Sequence, residues 1–346
     1  MSVVADRLSA LTVERRALAS TLAMVRERVL GVVGFGAPLV GVADDVPHVA
    51  IATPALVGDP VEVWCAEGMV TTGRLGPLRY AHDGHVLFAC VEIEDGDMPS
   101  VNNTQPDAMP LQRAAQRAYE WMFKALAHTG YTHPLRCWNY FSAINQETSG
   151  LERYRQFNIG RQDAFLAFGR SAFEGAPAAC ALGAHGGGLV VYVIAAKQAP
   201  LPIENPRQVS AYRYPNEYGP RTPSFSRAAL ARFAAHDVLL ISGTASIVGH
   251  ATAHAGDVRA QTRETLNNLR AVVEQANHVA RCKAFSLEYA DLKVYVRHAR
   301  DVDAIRDELA RALDPMPRMT WLLADVCRHD LLVEIEAMAS VAKGEE

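Results

Sequence analysis

The sequence of 346 residues lacks the features that would assign it to a specialised class of protein. Its six cysteines are scattered without a Cys-x-x-Cys pair, and no secretory leader precedes them, which favours reduced thiols in the cytoplasm over disulfides or a zinc site. The longest stretch without a formal charge, 175–196, is interrupted by Pro177 and by the glycines at 186–188, so we expect no membrane-spanning helix. A net charge of −4 gives no reason to expect a nucleic-acid partner.

The composition is that of an ordinary globular protein, with 49% hydrophobic and 21% charged residues. Its length exceeds that of a usual single core, so we expect two domains or one duplicated domain. Leucines recur at helical spacing within residues 1–30, which predicts an N-terminal helix. The glycine-rich stretch 31–36 has neither the GxGxxG nor the GKS/T order of a phosphate loop, and we interpret it as a connection.

The rest of the chain shows the same order of elements twice. The first half predicts strands within 46–95, a polar loop at 96–107, a helix at 110–127, a strand at 135–144, a helix at 151–168, and strands at 178–182 and 189–196. The second half predicts a strand at 237–245, a helix at 258–278, an extended segment at 284–296, a helix at 302–313, and a terminal hairpin of 321–326 with 331–337. An offset of 334 − 192 = 142 residues relates the two halves. We therefore expect an N-terminal region at 1–45 and two modules at 46–200 and 201–346.

Two acids lie on the apolar last strand, Glu334 and Glu336. Residues two apart on a strand point to the same face, so both are either solvated or buried. If they are buried, desolvation raises the pKa of a carboxyl group towards the range in which it can act as a general acid. The position related to Glu334 in the first half is Tyr192, which favours a site in the second half.

Several segments resemble those of a known family. They are the motif 150–161 (GLERYRQFNIGR), the tyrosine cluster 212–220 (YRYPNEYGP), the segment 241–250 (ISGTASIVGH) and the tail from Cys327 to Glu334. Together they resemble the chorismatases, and the C-terminal module resembles the RidA/YjgF fold. With the repeat of elements, the resemblance implies an α/β (α+β) protein of two RidA-like modules with mixed sheets packed on helices. By the same repeat, the first module is the degenerate copy. It also implies a cofactor-free and metal-free enzyme that cleaves chorismate into pyruvate and a ring carboxylate.

The resemblance places the catalytic carboxylate at Glu334, and the cysteine at Cys327 resembles the branch that forms 3-hydroxybenzoate. Nothing in the sequence around Cys327 indicates an activated thiolate, so we expect it to shape the site. Chorismate carries two carboxylates, which the planar fork of arginine binds well. Arg161 and Arg318 are the expected anchors, with Arg153 in reserve.

Three further residues are candidates for substrate binding. Tyr212 and Tyr214 offer hydroxyl groups and flat apolar rings for a cyclohexadiene, although a core role is equally compatible with the sequence. Gly243 follows an apolar strand and would let the backbone approach a ligand closely, unless it forms a simple turn. His250 and His254 lack a convincing third ligand, so we expect no metal.

Other functions remain open at this point. The same family includes a hydrolytic branch that yields a dihydroxycyclohexadiene carboxylate and pyruvate. If only the RidA-like module matters, the chain is an imine or enamine hydrolase or a small-molecule binding protein. We expect a monomer or a small homo-oligomer.

Overall fold

The computed structural model describes residues 11–16, 26–36, 38–58, 60–94, 109–281 and 284–343. Within these residues three mixed β-sheets enclose one core, and four α-helices cover the outer faces of two of the sheets. The expected α+β class, with mixed sheets packed on helices, is confirmed. The loop predicted at 96–107 lies outside the described residues.

The first unit is a six-stranded sheet in the order β12-β9-β13-β8-β7-β6. Its strands are β6 (Thr71–Leu75), β7 (Leu78–His82), β8 (Val86–Ile93), β9 (His133–Ser142), β12 (Ala178–Ala184) and β13 (Leu189–Ala196). Its helices are α1 (Pro110–Thr129) and α2 (Arg153–Ala167), and the short pair β10 (Glu147–Thr148) and β11 (Leu151–Glu152) precedes α2. One face of this sheet packs on the two helices and the other faces the central core, because successive strand residues point to opposite faces.

The second unit is a seven-stranded sheet in the order β14-β15-β16-β21-β19-β20-β4. Its strands are β4 (Ala55–Val57), β14 (Leu201–Ile203), β15 (Ala228–Arg232), β16 (His236–Ala245), β19 (Asp291–Val296), β20 (Arg318–Leu323) and β21 (Val333–Ala342). The helices α3 (Val258–Ala280) and α4 (Val302–Ala312) cover its outer face, and β17 (Ile247–Val248) pairs with β18 (Ala251–Thr252) before α3. An Asp257 side chain caps α3 by accepting a hydrogen bond from the Ala260 backbone N–H.

The repeat predicted from the sequence is present as a repeat of topology. In both units the last two strands flank a central strand, which is β9 between β12 and β13 in the first unit and β19 between β20 and β21 in the second. The central strand runs parallel to the earlier neighbour and antiparallel to the later one. The predicted terminal hairpin is therefore wrong. Residues 324–332 cross the end of β19, and a turn-like sequence between two apolar runs does not specify whether the runs become neighbours.

A third sheet replaces the predicted N-terminal helix. Its order is β1-β5-β2-β3, formed by β1 (Leu11–Arg16), β5 (Val61–Ala66), β2 (Val29–Phe35) and β3 (His48–Ile51). The helix prediction is wrong for Leu11–Arg16, where pairing with β5 overrides local periodicity; residues 1–10 and 17–25 are outside the described part. The glycine-rich stretch is also not a connection but largely strand β2. A Cβ on Gly31 would lie 2.3 Å from the Phe88 ring, so this glycine permits close packing of the third sheet on the first unit.

Candidate active site

A cavity of about 340 Å³ lies where the two units meet. The first unit contributes the beginning of α2, and the second contributes the segment 214–227, the end of β16, the turn 327–330 and β21. Its lining residues are Glu152, Tyr154, Arg155, Tyr214, Glu217, Tyr218, Pro223, Phe225, Arg227, Gly243, Ala245, Ile247, Thr252, Cys327, Arg328, His329, Asp330 and Glu334. The volume is within the range of about 300–1,000 Å³ that is usual for small-molecule sites.

A β-bulge in β16 shapes one wall. Ile241 pairs with Ala337 and Thr244 with Ile335, so β16 has one extra residue between the two pairs. Ser242 in the bulge donates a hydrogen bond to the Ser226 carbonyl and accepts one from the Ala179 backbone N–H, which ties the bulge to the first unit. The bulge brings Gly243 against the acid on β21.

Gly243 faces the carboxyl group of Glu334. A Cβ at Gly243 would lie 1.8 Å from Glu334 Oε1 and 3.0 Å from Cys180 Cβ, so a side chain here is incompatible with the position of Glu334. The backbone at Gly243 does not need a positive φ, and its role is therefore one of space. Close approach was expected at this residue, although towards a ligand; in the structure the nearest group is the acid itself.

The Glu334 side chain is buried, with 4% of the residue exposed, and points into the cavity. No described residue donates a hydrogen bond to its carboxyl group. Burial, and then the negative charge of Glu336, raise the pKa of Glu334 to about 8, against the opposing influence of Arg136 and Arg227. Glu334 is thus a neutral carboxylic acid at neutral pH and can donate a proton into the cavity.

Glu336 has the opposite environment although it is on the same face of β21. It accepts hydrogen bonds from Arg136 at 2.5 Å and from Trp138 Nε1 at 2.8 Å, and Lys293 Nζ lies 3.0 Å from its Oε1. Lys293 and then Arg136 hold the pKa of Glu336 at about 2 despite its burial. The two acids are both buried, but one is neutral and the other is ionised.

Cys327 is located in the turn that precedes β21 and lines the cavity. Burial, with a smaller contribution from Glu334, raises the pKa of its thiol to about 12. A neutral thiol is a poor nucleophile, which agrees with a role in shaping the site. The turn is held by Arg297, which donates to the carbonyls of Val326, Arg328 and Leu331, and by Gln261, which bonds Asp330 and Leu332.

Two arginines that the sequence did not single out, Arg227 and Arg328, line the cavity with unused donors. Arg227 donates through Nη2 to the Tyr214 hydroxyl and the Val209 carbonyl, each at 2.8 Å, and its buried Nε has no partner among the described residues. Arg328 stacks on the Tyr218 ring at 4.2 Å, and its buried Nη2 also has no described partner. Buried guanidinium donors without protein partners are suited to an anionic ligand.

The predicted arginines are placed differently. Arg318 is at the start of β20, with 67% of its side chain exposed, and pairs with Asp291 at 2.7 Å. Asp291 is opposite Met338, four residues beyond Glu334 on β21, so Arg318 lies about 13 Å along the sheet from the acid. Arg318 is therefore not among the residues that line the cavity, and the terminal hairpin beside which it was expected as an anchor does not form.

Arg161 is buried behind the cavity. It donates to the Ser224 carbonyl, and its guanidinium lies 4.9 Å from the ring centres of Tyr119 and Phe165. It lines a smaller chamber of about 40 Å³ that Glu334, Gly243 and Cys327 also line. Arg153, the reserve candidate, bonds the Ser142 carbonyl through Nε. Arg161 thus adjoins the acid from the rear, while Arg227 and Arg328 face the main cavity.

The tyrosine cluster divides between two roles. Ala211–Arg213 forms a 3-10 turn, so Tyr212 and Tyr214 do not share a face as an extended segment would have required. Tyr214 lines the cavity, whereas Tyr212 is outside the lining residues and stacks with Arg213. Tyr154 and Tyr218 complete the aromatic wall, and both belong to segments that the sequence singled out, at 150–161 and 212–220.

The histidines do not form a metal site in the described part of the chain. His250 Nδ1 lies 3.2 Å from the Tyr218 hydroxyl, and His254 faces Glu264 at 3.9 Å. Among the described residues no group of three or more His, Cys, Asp or Glu side chains could hold a metal ion. The absence of a metal remains a prediction.

No described helix is long and apolar enough to cross a membrane.

Comparison with known proteins places the chain in a family. A "3-hydroxybenzoate synthase" from Streptomyces hygroscopicus is 37% identical over 302 residues, which are 84% of this chain and 85% of that protein. A "chorismatase" from Streptomyces rapamycinicus is 36% identical over 91% of this chain and 93% of its own. The chain belongs to the chorismatase family. The N-terminal model of FkbO/Hyg5-like chorismatases matches residues 62–195 of this chorismatase, from β5 of the third sheet to β13 of the first unit.

Solved structures agree with this assignment. A chorismatase crystal structure is 33% identical, covers 96% of this chain and 99% of its own, and superposes with a TM-score of 0.84. A RidA structure from a Psychrobacter species covers 41% of this chorismatase and 99% of its own chain, with 17% identity and a TM-score of 0.32. The match to the chorismatase crystal structure confirms the predicted family and the predicted fold class.

Proposed function

We propose that this chorismatase converts chorismate into 3-hydroxybenzoate and pyruvate, with Glu334 as the general acid and without a cofactor. The single observation that supports the proposal most is a buried carboxyl group, without a hydrogen-bond donor among the described residues, in a cavity that also presents unpaired arginine donors. The relative named 3-hydroxybenzoate synthase supports the choice of product. An imine hydrolase would not need cations for two carboxylates, so this alternative is disfavoured.

Arg227 and Arg328 hold the two carboxylates of the substrate in this proposal. Each has a free buried donor, and Tyr214 and Tyr218 fix the two guanidinium groups by hydrogen bonding and stacking. The aromatic rings around them supply a flat apolar surface for the cyclohexadiene. Arg161 supports the site from behind through the chamber it shares with Glu334.

The reaction begins when Glu334 donates its proton to the methylene carbon of the enolpyruvyl group. The ring hydroxyl next to the ether then attacks the ether-bearing carbon, the carbon–oxygen bond to the side chain breaks, and pyruvate leaves as the ketone. The hydroxyl proton returns to Glu334 as the epoxide forms. The epoxide then isomerises to the phenol, with one ring hydrogen lost and one proton gained by oxygen. No net water is consumed, so a site that excludes water favours this route.

Cys327 selects between this route and hydrolysis by its size and its neutral state. The thiol lies in the wall beside Glu334 and does not attack the substrate, because its pKa of about 12 keeps it protonated.

We also propose that 201–346 is the module that carries the acid and 46–200 the degenerate one, after the N-terminal region 1–45. Cys90, Cys137, Cys180 and Cys327 form no disulfide, which supports a reducing, cytoplasmic location, and a monomer or small homo-oligomer remains our expectation.

Glu334→Gln tests the function directly. We expect the variant to bind chorismate and to lose pyruvate release by about 10²–10⁴-fold, as is typical of a lost general acid. Glu92→Gln, an exposed acid on β8 outside the cavity lining, is the matched control and should behave as the parent. The proposal also requires 3-hydroxybenzoate in the product mixture by chromatography. Parent-like turnover in Glu334→Gln would remove this residue from the mechanism, and a pure dihydrodiol product would overturn the branch.

A further inference from the structure

A buried cluster of four charged side chains lies beside Glu334, where all three sheets meet. It consists of Glu62 on β5, Arg136 on β9, Lys293 on β19 and Glu336 on β21, which we call the ion cluster. Lys293 lies 3.0 Å from both Glu62 and Glu336, and Arg136 lies 2.5 Å from Glu336. All four residues are at most 6% exposed.

The charges in the ion cluster sum to zero without Glu334. Two cations, Arg136 and Lys293, are matched by two anions, Glu62 and Glu336. If Glu334 also ionised, it and the ion cluster together would hold three carboxylates and two cations. A buried carboxylate without a counter-ion is strongly disfavoured, so the excess is avoided by keeping one carboxyl protonated.

Geometry decides which of the three acids keeps its proton. Glu336 accepts hydrogen bonds from Arg136 and Trp138, and Glu62 accepts one from Lys293 at 3.0 Å. No described residue donates to Glu334. The proton therefore resides on the acid that lines the cavity.

The other groups around Glu334 do not reverse this balance. Those facing it are the thiols of Cys180 on β12 and Cys327 in the turn, the hydroxyl of Tyr295 on β19, and the guanidinium groups of Arg227 and of Arg161 on α2, which lines the chamber behind the acid. Arg161 is engaged with the Ser224 carbonyl and with the rings of Tyr119 and Phe165. The thiols and the phenol are neutral at neutral pH, and the Tyr295 hydroxyl is already within 2.6 Å of the Tyr140 hydroxyl. Arg227 is engaged with Tyr214 and faces the space in which we place a substrate carboxylate.

We infer that the ion cluster positions the catalytic proton: by pairing Arg136 and Lys293 with Glu336 and Glu62, it deprives Glu334 of a counter-ion and so keeps it in the proton-donating form. Glu336 is a positioning residue in this scheme, since it touches no part of the cavity. The inference rests on the proposed role of Glu334. It assigns a function to the second acid of β21, which the cleavage reaction itself does not use.

The test is the pH dependence of kcat/KM, which reports the ionisation of the free enzyme. The parent should lose activity on the basic side with an apparent pKa near 8, as Glu334 ionises. Glu336→Gln removes one anion and leaves a surplus cation, so the basic limb should move to lower pH by at least about one unit, a tenfold change in proton affinity. Activity should return as the pH is lowered.

A second pair of variants guards against loss of folding in Glu336→Gln. Glu62→Gln creates the same surplus cation, but the lost charge is farther from Glu334 than that of Glu336. The basic limb of its pH profile should therefore also move to lower pH, by less than in Glu336→Gln. The double variant Glu62→Gln with Lys293→Met removes a neutral pair, and its limb should return to that of the parent. A purely structural role predicts no such return.

The outcomes separate this inference from the proposed function. A uniform fall of kcat/KM at every pH in the single variants, with the limb unmoved, overturns the inference. If Glu334→Gln is inactive at the same time, the proposed function stands and only the role of the ion cluster fails. If Glu334→Gln retains parent-like activity, the proposed acid fails instead. Infrared difference spectra give an independent readout, since the protonated-carboxyl band at neutral pH should vanish in Glu334→Gln and weaken in Glu336→Gln.

Discussion

Gly243→Ala should disable the enzyme although it adds a single methyl group. The new Cβ would lie 1.8 Å from Glu334 Oε1 and 2.8 Å from its Cδ, whereas ordinary contact begins near 3.4 Å. The carboxyl group must therefore move by 3.4 − 1.8 = 1.6 Å, or the bulge of β16 must open. Ser242 accepts a hydrogen bond from the Ala179 N–H of the first unit and donates one to the Ser226 carbonyl of the second; both resist opening of the bulge, so we expect the acid to move.

A displacement of this size is large for a proton donor. A misplacement of about 1 Å can lower a rate by about 10²-fold, so we expect a fall in kcat of at least that order. The overpacked methyl should also lower the free energy of unfolding by about 1–3 kcal/mol. Substrate affinity should change less than kcat, because Arg227 and Arg328 are not displaced by the methyl group.

The assay couples pyruvate release to the reduction of pyruvate by lactate dehydrogenase and NADH. Gly186→Ala is the matched control: Gly186 lies in the turn between β12 and β13 of the first unit, and its Cβ would come no closer than 4.0 Å to Ala52. It should retain the activity of the parent. Thermal unfolding of both variants identifies any loss of folded protein. A Gly243→Ala enzyme that is folded and turns over within a few-fold of the parent would refute the placement of Glu334 against this glycine.

Three further variants test the remaining assignments. Arg328→Ala should weaken the binding of chorismate, measured by isothermal titration, by about 2–5 kcal/mol. Arg318→Ala should leave the dissociation constant unchanged. The reverse pattern would identify Arg318 rather than Arg328 as an anchor. Cys327→Ala should shift the chromatographic product ratio towards the dihydrodiol and lower pyruvate release less than Glu334→Gln does, and near-complete inactivation would point to a nucleophile. Arg136→Ala leaves Glu336 buried beside one cation instead of two. Urea unfolding should therefore show that the free energy of unfolding falls by about 3–5 kcal/mol. A fall below about 1 kcal/mol would mean that the Arg136–Glu336 pair is not buried in solution.

Much of the fold could be predicted because the local signals agree with the final structure. All four helices described in the structure were expected within a few residues, since their apolar faces recur at helical spacing and meet the core. The order of elements also predicted the duplication. Strand adjacency could not be predicted, because β9 and β19 insert between strands that are consecutive in the chain. The third sheet was missed for the same reason, since its pairing is non-local.

The site was predictable where a residue's chemistry conflicts with its surroundings. Glu334 stands out as an acid on an apolar strand, and Gly243 as a glycine that follows an apolar strand. The arginines gave no such signal, because 34 Lys and Arg residues are distributed along the chain and only the fold separates the cavity from the surface. Arg318 was chosen because it precedes the predicted terminal hairpin, and the structure contains no such hairpin among the described residues. Arg328 adjoins Cys327 in the sequence, and that proximity was the available clue.

The duplicated fold explains how one acid can be left without a partner. In the first unit the position related to Glu334 is Tyr192, whose hydroxyl accepts a hydrogen bond from Lys293 at 3.2 Å. Arg136 and Trp138 reach across from the same unit to hold Glu336. The first unit thus supplies a cation and neutral donors but no third acid, and the charges balance only when Glu334 is neutral. Identical copies could not divide these tasks, because each would contribute the same groups. Because the two units of one chain differ in sequence, charged groups of the first unit can raise the proton affinity of the acid on the second.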